Sequence, residues 1–156
     1  MTHGILPVDK PGDISSAQVV RYVKKLEDVW KIGHMGTLDP FATGLLLVGV
    51  NKGTRLSRFF LAGSKRYTAR LQLGVETDTL DRTGSIVEEL PLPSSIDEQV
   101  ISRVVEQFRG LQQQVPPLFS ALKHNGKPLY RYAREGKAVE KPPRDIEIFD
   151  IRVERV

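Results

Sequence analysis

The chain has 156 residues, 40% of them hydrophobic and 27% charged, with a formal net charge of +4. This length and balance fit one soluble globular domain with a real core. No apolar run is long enough to span a bilayer, and Met1-Thr2-His3-Gly4-Ile5 lacks the basic-then-apolar layout of a signal peptide. The absence of cysteine removes disulfides, zinc–thiolate sites and thiol catalysis, and fits a reducing cytoplasm.

Ile5 to Val8 is predicted as a short strand, followed by a turn at Lys10-Pro11-Gly12-Asp13. Ser15 or Ser16 can cap a helix running to about Glu27, with Val19, Val20, Val23 and Leu26 on its buried face. A Gly-rich loop from Gly33 to Gly44 precedes an uninterrupted apolar run, Leu45 to Val50, which reads as a central strand. Thr54 starts a short helix with Leu56, Phe59 and Phe60, ended by Gly63. Tyr67, Ala69, Leu71 and Leu73 alternate with Arg66, Thr68, Arg70 and Gln72, the pattern of a half-exposed strand. A polar loop from Thr77 to Gly84 leads to a strand from Ser85 to Leu90. Ser95 and Glu98 form a capping-box signature before a helix that buries Val100, Ile101, Val104, Val105 and Phe108 and stops at Gly110. A strand is expected from Leu118 to Lys123, with a hairpin signal at Asn125-Gly126 and a short helix from Pro128 to Gly136. Ile146, Ile148, Phe149, Ile151 and Val153 make a last strand with a change of phase. A long apolar strand at a bare terminus leaves an edge without a neighbour, which points to truncation.

The modest basic excess suits an anionic partner such as nucleic acid. Between Lys123 and Arg144 lie Lys127, Arg131, Arg134, Lys137 and Lys141, against Glu135 and Glu140. No phosphate-binding glycine loop and no H-E-x-x-H occurs, and three scattered histidines make no metal site by spacing. The residues that stand out are Gly33-His34-Met35-Gly36-Thr37-Leu38-Asp39-Pro40. They place one carboxylate in a Gly-rich turn beside a rigid apolar strand, where catalytic groups tend to sit. Asp39-Pro40 by itself reads more readily as a turn-forming pair. Tyr67 reads equally as a core aromatic, and His34 by itself reads more readily as a loop-stabilising residue.

Lys10-Pro11-Gly12-Asp13-Ile14-Ser15-Ser16, followed by Gly33 to Gly44, resembles the paired N-terminal motifs of the TruB family of pseudouridine synthases. Lys65-Arg66-Tyr67 and Thr77-Asp78-Thr79-Leu80-Asp81 resemble the next two signatures. Pro116 to Lys123, with Gly126 to Tyr130 and Ala133 to Gly136, resembles a fifth. The five occur in the family's order, and the fifth is closer to the stand-alone tRNA enzyme than to the guide-RNA-dependent dyskerin.

The resemblance implies an α+β fold of the pseudouridine synthase kind, a mixed and mostly antiparallel sheet flanked by helices with an RNA cleft across one face. It implies isomerisation of uridine 55 in the tRNA T-loop, in the cytoplasm, with tRNA as partner and no metal, cofactor or membrane. Asp39 would be the nucleophile, attacking C1′ or C6 or promoting a glycal. Tyr67 would stack on the flipped base, and His34 would fill the space it vacates. Lys10, Lys123 and Lys127 are candidates for phosphate contacts. The family's downstream Lys-Gly-x-Tyr-x-Arg strand, whose arginine pairs with the nucleophile, and its PUA domain are not in these 156 residues. Residues 1–156 therefore read as a partial catalytic domain with little activity alone. The competing reading is a non-catalytic RNA-binding or RNA-folding module of the same fold.

Overall fold

The structure, a computed structural model, describes residues 2–26, 28–117, 119–120, 122–137, 139 and 141–154. It divides into two compact units, Met1–Thr68 and Ala69–Val156. The fold is α+β, and every strand pair among the described residues is antiparallel.

The first unit is built on a three-stranded sheet in the order β1-β3-β2. Strand β1 is Gly4–Lys10, β2 is Ile32–His34 and β3 is Gly44–Val50. The apolar run expected in the centre is the middle strand. It pairs with all of β1, from Gly4 opposite Val50 to Lys10 opposite Gly44, and with β2 from Ile32 opposite Val50 to His34 opposite Val48. Helix α1, Ser16–Val23, lies in the connection between β1 and β2. Ser15 caps it in a reciprocal box: its hydroxyl accepts from the Gln18 N–H, and the Gln18 side chain accepts from the Ser15 N–H at 2.8 Å. Val19, Leu46 and Val48 form the buried core, with Val8, Ile14, Val20, Ile32 and Leu38 packed against it. Leu26, expected on the buried helix face, is exposed because α1 stops at Val23 and Leu26 falls in the turn beyond it.

After β3, a 3₁₀ turn at Asn51–Leu56 runs into the short helix α2, Ser57–Leu61. Lys65 covers the end of α2, its ammonium donating to the Phe60 carbonyl at 2.8 Å. The alternating segment from Arg66 to Leu73 is not a strand. No strand among the described residues pairs with it, and each of its residues is exposed on both sides of the alternation. A pattern of period two stabilises a strand only when a neighbour takes up its backbone groups.

Among the described residues, the second unit holds three two-stranded pairs. β4, Val75–Thr77, pairs with β5, Ile86–Glu89, around the polar loop read from the sequence. Helix α3, Glu98–Glu106, is capped by Asp97 rather than Ser95, the carboxylate accepting from the Val100 N–H at 2.8 Å. β6, Gly110–Gln114, pairs with β9, Arg144–Ile148, so the last predicted strand finds a neighbour at Ile146 to Ile148, while Phe149, Ile151 and Val153 are not in a strand. β7, Lys123–His124, and β8, Lys127–Pro128, make a minimal hairpin that leads into α4, Leu129–Arg134. Its two turn residues are Asn125 at φ 48° and Gly126 at φ 79°, the left-handed pair that a two-residue hairpin needs. Of the strand expected from Leu118 to Lys123, Leu118 and Ala121 lie outside the described residues, and the remainder is strand only at Lys123. Among the described residues, no helix is long and apolar enough to cross a membrane.

Candidate active site

Asp39 lies in the loop between β2 and β3, and its carboxylate is exposed. It makes no hydrogen bond or ion pair among the described residues. The fold holds it indirectly, by gripping the main chain on either side. Before it, Leu38 packs its side chain against the core, and both its backbone groups meet the buried hydroxyl of Ser16. The Leu38 N–H donates to Ser16 Oγ at 3.0 Å, and Ser16 Oγ donates to the Leu38 carbonyl at 3.1 Å. After it, the Pro40 carbonyl accepts from the Lys10 ammonium at 3.0 Å. The Ala42 N–H closes a turn onto the Asp39 carbonyl at 3.0 Å. Gly44 then admits the chain to β3 at φ +108°, a conformation that a side chain rarely allows.

Lys10 was expected to contact phosphate, and its position corrects that expectation. It is fully buried, and all three ammonium protons are directed at carbonyls: Pro11 at 2.8 Å, Ile14 at 2.7 Å and Pro40 at 3.0 Å. A cation that spends its donors this way has none to offer a phosphate. Its function here is to fasten the turn after β1 to the Asp39 loop. Ser16, read from the sequence only as a possible helix cap, is the second clamp. No local signal marks either role, because the groups they hold lie 22 and 30 residues away.

His34 is half-buried at the end of the edge strand β2, not in a loop. Its Nδ1 is buried and has no hydrogen-bond partner among the described residues. A buried ring nitrogen left this way costs about 1–3 kcal/mol, which a bound group could recover. Tyr67 is 71% exposed in the irregular segment after Lys65 and makes no hydrogen bond or ring contact with His34 or Asp39 among the described residues.

The remaining candidates belong to the second unit. The Lys127 ammonium pairs with Glu135 and sits 4.7 Å from the centre of the Tyr132 ring. Its charge is thus already met within the hairpin–helix module. The Lys127 hydrogen bond and charge, with Lys137 and Arg131 nearby, hold the Glu135 carboxyl below its ordinary 4.5. Lys141 contacts His124 Nδ1 at 3.2 Å, and Arg144 donates to Gln114 Oε1 across the β6–β9 pair. The side chains of Lys123 and Arg134, and all of Glu140, lie outside the described residues. No cluster of three potential metal ligands occurs among the described residues.

An exposed carboxylate on a doubly clamped loop can act as a nucleophile or a base toward a group brought to the surface. Comparison with known proteins gives the family of the chain. Among curated relatives, the chain is 45% identical to "tRNA pseudouridine synthase B" of Blochmanniella pennsylvanica, over 96% of this chain and 56% of that protein. It is 47% identical to the protein of that name from Actinobacillus pleuropneumoniae, over 96% of this chain and 48% of that one. The chain thus spans about half the length of the curated relatives it matches. A chain of a solved Cbf5–Nop10–Gar1 complex matches 77% of this chain and 31% of its own length, at 28% identity and a TM-score of 0.48. The model for the N-terminal domain of TruB family pseudouridylate synthase matches residues 24–156, and the chain belongs to that family.

Proposed function

We propose that the protein is a tRNA pseudouridine synthase acting on uridine 55 of the T-loop, with Asp39 as its nucleophile. The observation that carries this reading is the loop itself: an exposed, unpaired carboxylate held between two main-chain clamps. A nucleophile has to be fixed in place and yet free of internal partners, and Asp39 combines both. The relatives' name supports the tRNA substrate.

The reaction breaks the bond from ribose C1′ to N1 of uracil, turns the base and forms the bond from C1′ to C5, with loss of the C5 proton and gain of one at N1. It is redox-neutral and consumes no co-reactant. The base must first leave its stack, at a cost of a few kcal/mol. In this reading Tyr67, with an exposed ring, takes the uracil face, and His34, whose Nδ1 is unpartnered among the described residues, fills the space the base vacates. Lys123 and Lys127 remain proposed phosphate contacts, Lys127 by exchanging Glu135 for a phosphate oxygen. A cation facing Asp39 would hold it ionised and oriented. None does among the described residues, so slow turnover is expected of these 156 residues alone.

Single-turnover tritium release from a uridine-labelled T-stem-loop RNA tests the assignment. Asp39→Asn should abolish release while RNA binding persists. Release at the unaltered rate by Asp39→Asn would remove Asp39 from the chemistry. RNA binding without any detectable release would leave only an RNA-binding module.

A further inference from the structure

Asp39 and Lys10 lie at one end of the first unit's sheet, where Lys10 pairs with Gly44; the Val50 end carries a different set of residues. β3 carries seven residues from Gly44, beside the Asp39 loop, to Val50. At about 3.4 Å per residue, the two ends are roughly 20 Å apart. At the far end, Ile32 lies opposite Val50, and the turn just before it exposes Leu26 (60%) and Trp30 (58%), while Tyr22 (58%) is exposed near the C-terminus of α1. Leu26, Asp28, Val29 and Trp30 line a shallow depression there. Leu26 and Trp30, which share this depression, form an exposed apolar patch of the kind that marks contact surfaces.

Trp30 is exposed but not loose. Its own N–H and that of Lys31 both donate to Asn51 Oδ1, at 2.9 and 3.1 Å, and the Asn51 N–H returns a bond to the Lys31 carbonyl at 2.7 Å. Asn51 is itself fully buried, so the main chain under the indole is fixed. The ring of His3 meets it edge to face at 6.4 Å. Tyr22 has the Lys25 ammonium 5.8 Å from its ring centre. In the same stretch of chain Arg21, Lys24, Lys25 and Lys31 are exposed, Lys25 being the one already placed against Tyr22, and Lys52 follows Asn51 in the chain. The acids of that stretch are Glu27 and Asp28.

We propose that this surface is a second RNA-binding site, in which Trp30 and Tyr22 stack on unpaired bases while Arg21, Lys24, Lys25 and Lys31 meet the adjoining phosphates. Rigid π-faces interleaved with cations are the chemistry that single-stranded nucleic acid requires. An acidic or apolar protein partner would use the cations or the aromatics, but would gain little from their alternation. The site lies beyond reach of a base held at Asp39, so it would engage another part of the same RNA molecule. The inference rests on the reading of the protein as an RNA enzyme.

Trp30 is the chain's sole tryptophan, which makes its emission a direct probe. A tRNA transcript is titrated into the protein while Trp30 fluorescence is followed, and binding is measured in parallel by anisotropy of labelled RNA. Emission should be quenched over the same concentration range as the anisotropy change, and equally in Asp39→Asn. Trp30→Ala, which keeps the backbone bonds to Asn51, should weaken binding about tenfold, the loss expected for one base–aromatic stack. Lys24→Ala with Lys25→Ala should reduce the slope of log affinity against log salt by about 1.5. If RNA binds by anisotropy while Trp30 emission and Trp30→Ala affinity stay unchanged, this surface is not an RNA site and the enzyme reading stands. If no RNA binds at all, both fall.

Discussion

Replacing Lys10 by Met tests whether the buried ammonium holds the Asp39 loop. Methionine nearly matches lysine in volume, so the packing around the aliphatic stem is kept and the change is confined to the charge and its three donors. Charge-assisted hydrogen bonds contribute about 1.5–3 kcal/mol each, so three would forfeit roughly 5–9 kcal/mol. Against that, burying an ammonium costs several kcal/mol, which Lys10→Met avoids. The freed carbonyls of Pro11 and Pro40 lie in an exposed loop region and can turn to water. The difference leaves a net loss of about 2 kcal/mol, or roughly 4–8 °C in melting temperature for a chain of this size. Urea unfolding followed by Trp30 emission reads this directly, since Lys10 and Trp30 belong to the same sheet-based unit. Turnover separates positioning from stability. Without the anchor at Pro40, single-turnover tritium release should fall by ten- to a hundredfold under conditions where the variant is fully folded, because a misplacement of about 1 Å can cost that much. Lys10→Arg should not rescue it, since a planar guanidinium cannot reproduce three converging bonds in a site closed to solvent. An unchanged urea midpoint would refute the energetic argument. A lowered midpoint with undiminished release would show that the clamp supports the fold but does not position Asp39.

Ser16→Ala removes the other clamp and leaves the Leu38 N–H and carbonyl without their shared partner; it should cost about 1–2 kcal/mol and lower the rate of release more than it raises the RNA dissociation constant. Asn51→Ala deletes four bonds, two donated to the Thr2 and Asp28 carbonyls and two accepted from Trp30 and Lys31, and forces alanine into φ 52°. That variant should lose about 4 kcal/mol, the largest loss of the set, in the same urea measurement. Burial raises the Asp81 carboxyl, but hydrogen bonds from the Thr83 hydroxyl, the Thr83 N–H and the Thr79 hydroxyl outweigh it and hold it below the ordinary 3.8. Its contribution is therefore complete above pH 3.8 and is lost as pH falls through the lower native value. Amide exchange at Thr83 should accelerate below that point in the native protein and should lose this acid dependence in Asp81→Asn.

The apolar run of β3 and the cap of α1 were plain in the sequence because each is a local signal: uninterrupted hydrophobicity in one case, and a hydroxyl four residues before the first buried Val19 in the other. What was not legible depends on partners distant in the chain. β2 is three residues with a glycine at its centre, and β6 is Gly-Leu-Gln-Gln-Gln, so neither has a strand's composition. Each is made a strand by its neighbour, β3 or β9. The converse holds from Arg66 to Leu73, where a good alternation lacks a partner and stays irregular. At the candidate site, the motif draws attention to the Asp39 loop, but nothing in the sequence marks the structural function of Lys10. A lysine in a turn reads as a surface charge, and only the return of Pro40 across the fold turns it into an internal anchor.

Both clamps close on backbone atoms, those of Leu38 and Pro40, and neither touches the side chain between them. Residue 39 is therefore a socket: the scaffold specifies where a functional group stands without specifying which group it is. Chemistry and architecture are separable at this position. A carboxamide, a longer acid or a thiol installed there would inherit the same placement, and differences in behaviour among such variants would report on the reacting group and not on a disturbed fold.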